Sequence, residues 1–104
     1  MIRHIVLVRF EPTTTASEIM DIFAELEPLR TKVSGMGPVA SGKSSSPEHI
    51  ERGYMHGFTI DFDTWDGLHA YQNNPSHQKI GAKIVAAAQG GIEGVLVFDL
   101  EFEA

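Results

Sequence analysis

The sequence predicts one α+β domain with the element order β-α-β-β-α-β. Apolar and β-branched residues dominate a segment at each end of the chain, residues 2–10 and 95–102. A third segment, residues 54–62, alternates between large apolar and smaller or polar side chains, as a strand with one buried face does. Between these segments lie stretches with apolar residues at helical spacing. A chain of 104 residues allows one such domain, residues 1–104, with a modest core.

The first strand, residues 2–10, is apolar on both faces. One face is interrupted by a single histidine: Ile2, His4, Val6, Val8 and Phe10. The other is charged only at its ends: Arg3, Ile5, Leu7 and Arg9. Two apolar faces require a covering layer on each side of the sheet.

The first helix is predicted from Thr15, which with Glu18 fits a capping box. Its apolar stripe is Ile19, Ile22, Phe23, Leu26, Leu29 and Val33. Pro28 should kink or end this helix near Glu27. A weaker strand, expected at an edge of the sheet, follows at residues 39–44.

The second helical region is split by Pro75. Asp63 or Thr64 can cap its first part, and Asn74 can cap the second with Pro75 at the first helical position. Gly90-Gly91 should end it before the last strand, residues 95–102. The complete order is that of a ferredoxin-like fold with a four-stranded antiparallel sheet.

Helices of such a fold cover one face of the sheet, whereas Ile5 and Leu7 lie on the other. An uncovered apolar face predicts a partner. We expect a homodimer in which the two sheets pack face to face.

Composition restricts the other partners. Net charge is −6, and lysine and arginine occur singly along the chain, so nucleic acid is not expected. No cysteine is present for a disulfide or a thiolate site. No apolar run approaches the roughly 20 residues of a membrane span, and the chain opens on a strand. These features predict a cytoplasmic protein with no membrane association.

His77 and His4 are the leading candidates for chemistry. His77 follows Asn74-Pro75 on the apolar stripe of the last helix. The helix dipole should keep its imidazole neutral, and a neutral imidazole can act as a general base. His4 lies on an apolar strand face and needs a buried partner. Both also fit a structural role, in which each ring hydrogen-bonds only to the protein.

The remaining histidines give weaker signals. His56 lies on the aromatic face of its strand, which favours a structural or pocket-lining role. His49 and His69 are expected in solvent. A metal site needs three or four converging ligands, and His4, His56 and His77 show no ligand spacing, so neither metal nor cofactor is predicted.

Three segments together resemble the stress-responsive α/β-barrel (Dabb) domain: residues 1–10, residues 52–58, and the Tyr71-x-x-x-Pro75-x-His77 motif. The resemblance covers essentially the whole chain. It implies a ferredoxin-like protomer and a homodimer whose two sheets form one barrel.

One branch of that family is similar to plant olivetolic acid cyclase, which closes a polyketide by aldol condensation. That similarity implies a catalytic pair at His4 and His77, with Tyr71 in the same pocket. A second pocket tyrosine of that branch falls at Leu26, so a hydroxyl donor is lost here and the substrate should differ. The expected binding residues are Tyr71, Phe23, Leu26, His56 and Phe58.

The sequence therefore predicts that a small, partly apolar organic molecule binds between sheet and helices, with proton transfer by His4 and His77. One alternative is a stress-related dimer without enzymatic activity. Another is an enzyme similar to the dimeric-barrel monooxygenases, some of which degrade haem. Trp65 and His77 would suit it, but the first strand lacks the asparagine that it requires.

Overall fold

The computed structural model describes residues 1–104 as one antiparallel sheet with helices on one of its faces. The strands, in spatial order β2-β3-β1-β4, are β1 Ile2–Val8, β2 Met36–Lys43, β3 His56–Phe62 and β4 Val95–Glu101. The helices are α1 Ala16–Ala24, α2 Trp65–Asn73 and α3 Pro75–Ala87. Two short 3-10 helices, Glu27–Thr31 and Gly91–Gly94, precede β2 and β4. This is the predicted ferredoxin-like fold.

The alternation of side chains along β1 determines which of them face the helices. Ile2, Val6 and Val8 are buried in the core between sheet and helices, and His4 is buried among them. Antiparallel pairing places His4 beside Ile60 of β3 on one side and Asp99 of β4 on the other. The strand therefore carries its one buried histidine into the centre of the sheet.

The N-caps of the three helices match the predictions. The Thr15 side chain accepts from the backbone N–H of Glu18 at 3.1 Å and donates to the Glu18 carboxylate at 3.1 Å. Of the two candidates for α2, Thr64 is the cap. The Asn74 side chain accepts from the backbone N–H groups of Ser76 and His77, so Pro75 divides α2 from α3 as predicted.

Several predicted boundaries were wrong. The first strand ends at Val8, and Phe10 makes only an isolated bridge to Ala88. The first helix ends at Ala24, and Pro28 lies in a 3-10 helix because a proline nitrogen cannot donate to the preceding turn.

The two middle strands also differ from their predicted bounds. The edge strand β2 begins at Met36, three residues early, and contains a register shift between Met36 and Val39. Its partner β3 begins at His56 instead of residue 54.

The second face of the sheet, here called the open face, carries no helix. Ile5 and Leu7 are half-buried there, while Leu96, Phe98 and Leu100 of β4 are exposed, Phe98 by 54%. No helix is long and apolar enough to cross a membrane.

Candidate functional site

A cavity of about 260 Å³ lies between α3 and the β1–β4 half of the sheet. It is lined by His4, Val6, Phe58, Gln72, His77, Gly81, Ile84, Val85, Ile92, Val95 and Val97. Ile92 and Val97 are 66% and 54% exposed, so this wall beside β4 is open to solvent. Both candidate histidines thus border one mostly apolar cavity, a setting typical of small-molecule sites.

His4 is fixed by a carboxylate. Its Nδ1 lies 2.6 Å from Oδ1 of Asp99, the residue opposite it on β4. Because a carboxylate only accepts, Nδ1 carries the proton and donates. Nε2, on the far side of the ring, is left for another polar contact.

His77 is positioned by the turn between α2 and α3. Its Nδ1 lies 3.3 Å from the carbonyl oxygen of Gln72, which must be the acceptor. In the neutral ring Nε2 then keeps its lone pair, as a general base requires. Burial lowers the pKa of His77 below 6.5, the nearby His4 lowers it further, and the Gln72 contact partly opposes both effects. Desolvation is therefore the largest cause of the lowered pKa, whereas the sequence pointed to the helix dipole.

Tyr71 packs between the two histidines. Its ring centroid is 5.6 Å from that of His4 and 4.1 Å from that of His77. The side chain is completely buried, its hydroxyl has no hydrogen-bond partner in the protein, and burial strongly raises its pKa. A buried hydroxyl without a partner is costly, so it is available to a ligand that reaches it. Tyr71 is not itself on the cavity wall.

The other predicted binding residues occupy different places. Phe58 lines the cavity, and Leu26 is a fully buried core residue away from it. Phe23 and His56 line a second cavity of about 390 Å³ between α1 and the end of β2. Burial lowers the pKa of His56, and Lys43 lowers it further. The structure thus brings His4, Tyr71, His77 and Phe58 together. Phe23 packs against Phe58, with ring centroids 5.2 Å apart, but lines the second cavity with His56, and Leu26 lines neither.

Sequence reasoning missed Asp99 and Gln72 as parts of this site. Asp99 was visible as the only charge in the apolar run of residues 95–100. Its role depends on the pairing of β1 with β4, which joins positions 95 residues apart. Gln72 acts through its backbone carbonyl, which leaves no signal in the residue type.

The arrangement of potential metal ligands was compared with what a metal ion needs. No group of three or more histidine, aspartate or glutamate side chains has an arrangement that could hold a metal ion. His4 and Asp99 form a pair, and His77 contacts a carbonyl.

Comparison with known proteins first finds solved structures of dimeric ferredoxin-like proteins that share the fold of this chain. A dimeric ferredoxin-like protein of unknown function from Jannaschia sp. CCS1 is 31% identical, with a TM-score of 0.90 over 97% of this chain and 98% of that one. The hydroxynitrile lyase of Passiflora edulis has the same fold, with a TM-score of 0.81 at 19% identity over 98% of this chain and 93% of that one.

The family follows from the sequence match. Residues 2–102 match the stress responsive A/B barrel domain, Dabb, and the chain belongs to that family. A stress-response A/B barrel domain-containing protein of Arabidopsis thaliana is 25% identical over 103 residues, which are 98% of this chain and 86% of that relative.

Proposed function

We propose that the chain forms a homodimer through its open face and that each protomer binds a small, partly apolar carbonyl compound in the cavity beside His4 and His77. The dimer is supported by the exposed apolar side chains of β4 and by the dimeric neighbours. The ligand class is supported by a cavity whose walls are mainly apolar and whose polar groups are the two imidazoles and Gln72.

The proposed reaction is proton abstraction from the carbon next to the carbonyl. Nε2 of His77 accepts the proton while the C–H electron pair moves into the enolate. The enolate carbon then attacks a second carbonyl of the same molecule, and the resulting alkoxide takes the proton back. This is the aldol step that closes a ring.

One observation carries this proposal. The Nδ1 atoms of His4 and His77 are both engaged by protein acceptors, and both side chains border the same cavity. Fixed rings with one nitrogen left over suit a site that positions reacting groups in advance. The volume of about 260 Å³ limits the ligand to a small molecule or to part of a longer one.

Exchange of protons for deuterium in a panel of alkyl and aryl methyl ketones would test the reaction. The protein in D₂O should speed exchange next to the carbonyl above the protein-free rate. His77→Ala should reduce the exchange rate above that protein-free background by about 100-fold or more, which is the usual contribution of a general base.

His69→Ala is the matched control, because His69 is an exposed histidine on α2. It should leave exchange unchanged. Full exchange by the His77→Ala variant would contradict the proposed chemistry and favour a binding or stress-related role without catalysis.

A further inference from the structure

Gly81 lies in the middle of α3, where glycine is a costly choice. A glycine in a helix interior loses more conformational freedom on folding than alanine and destabilises the helix. The backbone at Gly81 is ordinary α-helix, so no left-handed conformation requires glycine there. Beyond the adjacent backbone, a Cβ atom placed on Gly81 would meet nothing within 4 Å. Neither backbone conformation nor packing within the protein therefore accounts for this residue.

Most of the other glycines have a structural reason. Of the ten glycines in the chain, four have a positive φ: Gly35, Gly53, Gly90 and Gly91. At four more, an added Cβ atom would come within 3.0 Å of a backbone oxygen: Gly37, Gly57, Gly67 and Gly94. Gly42 is unconstrained like Gly81, but it lies on β2, outside the cavity beside His4 and His77. Gly81 is the one glycine that lines that cavity.

The missing side chain of Gly81 leaves space next to the imidazole of His77. His77 precedes Gly81 by four positions, so the two residues are neighbours on one face of α3. The Cα–Cβ bonds of a helix tilt toward its N-terminus, so a side chain at position 81 would cover the turn that carries His77. Because both residues line the cavity, glycine at position 81 widens it beside the candidate base.

The walls around this space are apolar. Ile84 and Val85 follow Gly81 by three and four positions on α3 and therefore share its face. Val95 and Val97 of β4 line the same cavity. Removal of apolar surface from water favours an apolar group in such surroundings.

From these observations we infer that Gly81 determines substrate specificity, by accommodating a bulky apolar substituent, a ring or a branched alkyl group, on the carbonyl carbon of the substrate. The inference rests on the reaction proposed for His77 and names the class of ketone that the cavity takes. The reacting methyl carbon then lies at Nε2 of His77, and the substituent lies against the bare helix backbone at Gly81. Acetone has no such substituent and leaves this space empty.

Gly81→Ala tests the inference, because it adds a single methyl group to the space. Proton exchange of acetophenone should fall by about 10-fold or more, the usual effect of one carbon atom in an apolar pocket. Exchange of acetone should change little, so the ratio of the two rates should fall. The urea midpoint of unfolding should rise at the same time, because alanine is favoured over glycine in a helix interior. A loss of acetophenone exchange therefore cannot come from unfolding.

Ala82→Leu is the matched control. Ala82 is the exposed neighbour of Gly81 on α3 and does not line the cavity. The variant adds a larger group to the same turn of the helix and should leave the ratio of the two exchange rates unchanged.

An unchanged ratio in Gly81→Ala, or an equal fall in Ala82→Leu, would overturn the role of Gly81 while leaving the chemistry of His77 standing. If the wild type exchanges neither ketone, the proposed reaction fails, and acetophenone binding decides the question through shifts of the backbone amide NMR signals. Gly81→Ala should then weaken that binding by about 10-fold. Absence of binding to the wild type, or equal affinity in both proteins, would overturn the inference.

Discussion

At the scale of single residues, the hydroxyl of Tyr71 is expected to cost stability. The group is buried without a partner in the protein, between the rings of His4 and His77. Natural sites often keep such costly polar groups because a ligand uses them. This combination of burial and position is what separates Tyr71 from an ordinary core aromatic residue.

Tyr71→Phe should therefore raise the free energy of unfolding, by up to about 1–3 kcal/mol, because an unpartnered polar group is removed at almost constant volume. Urea unfolding at neutral pH measures it. The same variant should lose part of the ketone-exchange activity. A clear loss of stability would show that the hydroxyl already has a partner in the free protein.

His77 predicts a pH dependence of stability. Its pKa is lowered in the folded protein from the ordinary 6.5, so the unfolded chain binds the proton more tightly. This contribution to stability is present above the unfolded pKa and is lost as pH falls through 6.5 toward the lower folded value.

The check is the urea midpoint measured between about pH 7.5 and pH 5.5, with His77→Gln as the variant. The midpoint of the wild type should fall over this interval, and His77→Gln should show a smaller fall. Some dependence of the urea midpoint on pH should remain in His77→Gln, because the pKa of His56 is lowered as well. Equal slopes in both proteins would contradict an effect of His77.

At the scale of elements, the turn between α2 and α3 positions the His77 side chain. The Asn74 cap holds the backbone of Ser76 and His77, and the Gln72 carbonyl holds the imidazole. Cap and ring contact come from residues within five positions of His77. That local origin explains why the sequence predicted the Asn74 cap. The Gln72 contact is equally local but was missed, because a backbone carbonyl leaves no signal in the residue type.

Asn74→Ala should destabilise the protein by about 1 kcal/mol through loss of the cap and should also lower ketone exchange, because His77 loses its support. Thr15→Ala, which removes the cap of α1, is the matched control. It should cost similar stability and leave exchange per folded protein unchanged. Equal activity losses in both variants would mean that the cap acts only through stability.

Apart from the Gln72 carbonyl, the features that the sequence predicted and those that it missed differ in the sequence distance over which they form. The split at Pro75, the caps at Thr15 and Asn74, and the alternation in β1 are local and were predicted. The Asp99 contact to His4 was not, because it depends on strand pairing across the whole chain. The place of Phe23 and His56 in a second cavity also depends on how α1 crosses the sheet.

At the scale of the whole molecule, the two faces of the sheet have different surroundings. The helix-covered face holds the core and the histidine cavity, and the open face presents Leu96, Phe98 and Leu100 to solvent in the isolated protomer. Exposed apolar surface of this kind is typical of an interface, which supports the proposed dimer. Because side chains alternate along a strand, β4 supplies Asp99 to one face and Phe98 to the other.

Phe98→Asp should convert the proposed dimer to a folded monomer, because two charges would have to be buried in its interface without partners. Light scattering after size exclusion measures the mass. Val97→Asp is a useful comparison, since Val97 is equally exposed but lies on the helix-covered face. Loss of the dimer in both variants would argue against an interface restricted to the open face.

The pH profile of ketone proton exchange tests the proposed chemistry most directly. If neutral His77 is the base, the excess exchange rate should rise with pH, reach half its maximum below 6.5, and disappear in His77→Gln at every pH. A half-maximum above 6.5, or a profile that His77→Gln leaves unchanged, would contradict it.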